Sequence, residues 1–155
     1  MSDRTYFQLV IHSATPDELT ALRAALDGDE EPPDLADLRG ADEEPEDGDD
    51  FPLLWGWEEC RLAAATEYGP LIAAIMPGAT FAAWTDPNYE YAGDLYQHAP
   101  DLGEHVSPCD ANGHATIRDV DLAEIMGRPG IDDTAALVAV GRLLGLAWYR
   151  RMFGA

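Results

Sequence analysis

Three of the four histidines and one of the two cysteines fall in the stretch HAPDLGEHVSPCDANGH: His98, His105, Cys109 and His114. Imidazole nitrogen and thiolate sulfur are ligands that zinc prefers, and four of them suffice for a tetrahedral site. Zinc is thus the cofactor these residues would hold, and a metal-dependent enzyme is the activity they would serve. Their spacing argues against it. On an extended strand His105 and Cys109 lie about 13 Å apart, and Pro108 is the one obvious cause of a kink between them. A two-residue turn at Asn112-Gly113 puts residues 105, 107, 109, 111, 114 and 116 on one face, whereas a four-residue turn sets Cys109 opposite His114. Neither gathers more than two ligands. The competing reading is a hairpin with polar residues on its wet face. A calcium loop fits no better, because placing Gly113 at the required glycine puts Pro108 where the first carboxylate ligand belongs.

Nucleophilic chemistry has little to work with. The three serines are Ser2, Ser13 and Ser107, and no G-x-S-x-G elbow surrounds any of them. Cys109 beside Asp110 and His114 could form a thiolate site, but free cysteine is more often a small buried hydrophobe. In WGWEE, Glu58 and Glu59 point to opposite faces of a strand and cannot by themselves flank a glycosidic bond. All nine basic residues are arginine, which removes chemistry that needs a lysine amine. Phosphate-loop, dinucleotide, HExxH and CxxC patterns are absent from the sequence.

Charge is the stronger signal. The stretch DGDEEPPDLADLRGADEEPEDGDD, residues 27–50, holds thirteen carboxylates against Arg39 alone, within a chain of net charge -21. Such a field repels nucleic acid and anionic lipid and attracts basic proteins. Asp29, Glu30, Glu31, Asp42, Glu43, Glu44, Glu46, Asp47, Asp49 and Asp50 would supply the attraction. Leu35 and Leu38, one helical turn apart, would supply a local apolar anchor for the partner.

The rest of the chain must form the body that carries these groups. At 155 residues with 46% hydrophobic content it fits a single domain, residues 1–155, with a flexible acidic insertion at about 27–50. RTYFQLVIHS reads as a strand. TPDELTALRAAL opens a helix in which Thr15 and Glu18 can close a capping box, Pro16 taking the first helical position. FPLLWGWEEC reads as a second strand, and TEYGPLIAAIM as a helix capped by Thr66 or beginning at Pro70. ATFAAWT, GDLYQHA, EHVSPCD and HATIR then read as a meander of short strands. DVDLAEIMG predicts a short helix, and one further helix is expected from about residue 132 to residue 152. The order implies an α+β fold, an antiparallel sheet with helices packed on one face.

These features predict a non-enzymatic acidic protein that docks on a basic protein, a class that includes nucleic-acid-binding proteins, and inhibits or modulates it as a charge mimic. It would not touch nucleic acid or membrane directly. Two cysteines make no disulfide framework and no stretch reads as a secretory leader, so a cytoplasmic setting is expected. The alternatives are the metal-dependent enzyme and a structural or assembly subunit in which the final helix and the tyrosine-rich region of Tyr89, Tyr91 and Tyr96 make permanent contacts.

Overall fold

The computed structural model describes residues 4–27, 35, 38–46, 50–88 and 92–154. Five strands, β1 (Arg4–Ser13), β2 (Leu53–Arg61), β3 (Thr80–Thr85), β4 (Gly93–Ala99) and β5 (Gly103–Cys109), form one antiparallel sheet in the order β2-β1-β3-β4-β5. Helices α1 (Pro16–Asp27) and α2 (Ala64–Ile75) separate the first three strands; α3 (Asp119–Met126), α4 (Asp133–Leu143) and α5 (Leu146–Phe153) follow the sheet. The fold is therefore α+β. Among the described residues no helix is long and apolar enough to cross a membrane.

Alternation along β1 determines which residues meet which layer. Phe7, Leu9 and Ile11 point to one face and are fully buried; Gln8, Val10 and His12 point to the other. Register extends the first face through Trp55, Trp57, Phe81, Ala83 and Tyr96. Leu22, Ala25 and Leu26 of α1 and Ala65, Tyr68 and Ile72 of α2 close over it. The Phe7 and Trp57 rings stack 5.3 Å apart. At Gly69 of α2 any side chain would collide with Tyr96, whose ring lies 2.4 Å from where a Cβ would stand.

The capping box forms as the sequence implies. The Glu18 amide donates to Thr15 Oγ1 (3.2 Å), and the Thr15 amide donates to Glu18 Oε1 (3.1 Å). The other Glu18 oxygen accepts from the Gly78 amide at 2.7 Å, joining the start of α1 to the approach to β3.

Three expectations change. First, α2 begins at Ala64, so Pro70 lies inside it rather than at its start. Second, HATIR adds no strand: it makes a single bridge, Ala115 to Cys109. Third, the last helix is two helices, α4 and α5. Gly145 adopts φ 63°, and a Cβ there would stand 2.4 Å from His105 Nδ1. This left-handed residue ends α4 and turns α5 back over the second face of the sheet, where Met152 packs near Ala82, Trp84, Leu95 and Cys109.

Leu35 and Leu38, expected as a partner's anchor, belong to the protein's own core and are fully buried. Truncating Leu38 to alanine is expected to lower unfolding free energy by about 2–4 kcal/mol, measured by urea denaturation. A change near zero would contradict its place in the core.

Candidate functional site

The structure does not bring the four proposed metal ligands together. His98 sits on the α1/α2 side of the sheet, stacked on Phe81 with a ring nitrogen 2.8 Å from the Ala79 carbonyl. His105 and Cys109 lie on the opposite side, opposite Gln97 and Gly93 of β4. Nδ1 of His105 meets Gln97 Oε1 at 3.1 Å, and its Nε2 meets the Leu143 carbonyl at 3.0 Å. His114 is exposed and pairs with Asp110 at 3.3 Å. Among the described residues no three His, Cys, Asp or Glu side chains converge in a metal-binding arrangement.

The turn explains the separation. The Gly113 amide donates to the Asp110 carbonyl, the Asp110 amide to the His114 carbonyl, and Gly113 takes φ 75°. This three-residue loop with a left-handed glycine is neither the two-residue nor the four-residue turn, and it sets Ala115, not His114, opposite Cys109. Asp110 Oδ1 accepts from the amides of Asn112 and His114, both at 2.9 Å. Slight burial raises the Asp110 pKa, but these amides and His114 outweigh it and hold it low. Cys109 is buried. Burial first, then the charges of Asp110, Asp94 and Asp86, push its thiol up to about 12, so no thiolate nucleophile stands there at neutral pH.

The acidic segment has a built structure where it is described. The Trp57 indole donates to the Leu38 carbonyl at 2.7 Å inside the core. Beyond Leu38 the chain runs beside β2, an outer strand of the sheet. The amides of Asp42 and Glu43 donate to the Gly56 carbonyl, and the Gly56 amide returns a 2.9 Å bond to the Glu43 carbonyl. Asp42 Oδ2 accepts from the Glu58 amide at 2.7 Å. Tyr6 crosses over Gly56, where a Cβ would meet its hydroxyl at 2.1 Å, and donates to Glu43 Oε2 at 3.1 Å. Its phenol pKa is raised by burial, then by the bond to Glu43 and the charges of Glu43, Asp86 and Glu58.

Asp42, Glu43, Glu44, Glu46, Asp50, Glu58 and Glu59 are all exposed on or beside this edge. Glu58 and Glu59, unsuited as a catalytic pair, belong to this charged surface, Glu58 through the bond of its amide to Asp42. Asp29, Glu30, Glu31, Asp47 and Asp49 lie outside the described residues.

A second feature had no sequence signal. Between the sheet and α5 lies a cleft of about 530 Å³ lined by Val10, Ala82, Trp84, Tyr149, Met152 and Phe153, with His12 and Gln97 as polar members. Alternation places Val10 and His12 on that face, but nothing local pairs β1 with residues near 150.

No protein-family model, curated protein or solved structure matches this chain.

Burial lowers the pKa of His12 from its ordinary 6.5. It also lowers that of His105, against the opposing pull of the Leu143 and Arg142 carbonyls. Both imidazoles thus resist protonation in the fold, and the unfolded chain binds more protons. Their contribution to stability is complete above about pH 6.5 and is lost as pH falls through that value toward the lower folded pKa. The urea midpoint is expected to drop between pH 8 and pH 6, and to drop less in a His12→Gln/His105→Gln variant. Equal slopes would refute the assignment.

Proposed function

We propose that the chain is a non-enzymatic acidic binding protein that docks on a basic protein and inhibits or modulates it. The observation that carries this reading is the pairing of Glu43 with Gly56, which together with the Glu58–Asp42 and Tyr6–Glu43 bonds holds the Asp42 and Glu43 carboxylates beside β2. Ordered charges lose less conformational entropy on binding than charges on a free chain. They also steer a basic partner during encounter.

Charge mimicry of nucleic acid calls for ordered carboxylates close together. Asp42, Glu43 and Glu44 are consecutive and exposed, and Glu58 and Glu59 stand on the strand they adjoin, so the edge gathers several carboxylates into a small area, as a polyanion does. The partner class this favours is a nucleic-acid-binding protein whose basic surface the edge would occupy. A cytoplasmic setting accords with two buried cysteines, Cys60 and Cys109, that form no disulfide.

Deleting the acidic segment would also remove Leu35 and Leu38 from the core, so substitution by amides is the cleaner test. A variant carrying Asp42→Asn and Glu43→Gln, Glu44→Gln, Glu46→Gln, Glu58→Gln and Glu59→Gln is compared with the intact chain in capture from a native lysate at low and high salt. The expected result is a basic partner held by the intact chain at low salt, released at high salt, and not held by the variant. Retention of the same partner by the amide variant would remove this edge from the mechanism.

A further inference from the structure

Helix α4 is apolar on almost every side and yet scarcely covered. Beyond its first turn its one charged residue is Arg142, a composition typical of an enclosed helix. Ala136 is nevertheless its single buried residue, while Leu137 is 72% exposed and Val138 49%. Helix α3, which packs on α4, exposes Val120 and Met126. Of the eleven large hydrophobic side chains exposed among the described residues, nine lie between Val120 and Phe153. Isolated exposed apolar residues are ordinary, but a concentration in one quarter of a chain marks an interaction surface.

Charge indicates what covers it. Residues 118–155 hold five arginines and five carboxylates, so the whole net charge of -21 resides in residues 1–117. The neutral helices flank β5: His105 meets the Leu143 carbonyl, and Val106, Ser107 and Pro108 share a cleft with Arg118, Asp121 and Leu143. The acidic edge is β2, four strand spacings away, about 19 Å and roughly two Debye lengths in physiological salt. A second copy can approach through α4 with both acidic edges kept apart. A basic partner finds its countercharge at the β2 edge, whereas this neutral face offers apolar area that a second copy can match.

The order of residues along α4 is complementary to its own reverse. One row of its exposed side runs Asp133, Leu137, Gly141, and the adjacent row runs Thr134, Val138, Arg142, each with the four-residue spacing that keeps side chains on one line. Place two α4 helices antiparallel about a two-fold axis between Leu137 and Val138. Each row then faces the other row of its mate: Asp133 opposite Arg142, Leu137 opposite Val138, and Gly141, half-buried against its own Leu146, opposite Thr134. A parallel pair would set like charges together. The geometry points to a symmetric homodimer formed through α4, self-complementary in shape and charge.

Sedimentation velocity of the full chain over a range of concentrations tests this. The expected particle has twice the 16.9 kDa chain mass. Val138→Glu should give a monomer whose circular dichroism matches the parent. Asp133→Arg and Arg142→Asp should each raise the dimer dissociation constant by about ten-fold, since two pairs are lost at once, and the double variant should restore it. A monomeric parent at every concentration would overturn the proposal and leave the face to a different protein. A dimer indifferent to Val138→Glu would overturn the surface, and a double variant no better than the singles would overturn the antiparallel arrangement.

Discussion

The bond from the Trp57 indole to the Leu38 carbonyl determines where this molecule carries its charge. Carboxylates this dense repel one another and favour an expanded chain in water. Leu35 and Leu38 oppose that by entering the core, and the indole satisfies a carbonyl that burial would otherwise leave without a partner. Once Leu38 is held, the chain beyond it has little choice but to follow β2. The backbone bonds of Asp42 and Glu43 to Gly56, the Asp42 bond to the Glu58 amide and the reach of Tyr6 to Glu43 all depend on that starting point.

The sheet separates two kinds of surface. Its β2 edge is acidic and tied down by hydrogen bonds; its β5 edge is flanked by neutral helices with unspent apolar area. Gly145 contributes to the second surface. By adopting a left-handed conformation against His105 it stops α4 near β5 and returns α5 across the sheet, which opens the apolar cleft beside Trp84 and Phe153. One end suits attraction at long range. The other suits contact at short range, where shape and desolvation decide.

Much of the body could be read from residue order because its signals are local. Alternation in β1, the Thr15/Glu18 box and the turn residues between β3, β4 and β5 each act within a few positions. The failures were non-local. The Leu35/Leu38 pair reads as a short apolar face, but its spacing does not say whether a partner or the chain's own sheet covers it, and it is the sheet. His98, His105, Cys109 and His114 are close in sequence, yet pleat and register send His98 to one face and the turn carries His114 out to solvent. The break at Gly145 was hidden by apolar residues continuing on both sides of it. The cleft depends on β1 meeting residues more than 130 positions later, which no local pattern encodes.

The Glu43–Gly56 bridge has one further effect, on the integrity of the monomer's sheet. An unpaired outer strand is a template onto which other chains can add and grow into fibrils. Part of β2 is instead occupied by backbone from its own chain, and the occupying residues are flanked by negative charge that discourages stacking of another strand. A protein rich in aromatic and β-branched strands thereby gains a built-in guard against aggregation at the side of the sheet where Trp55 and Trp57 would otherwise lie closest to an open edge.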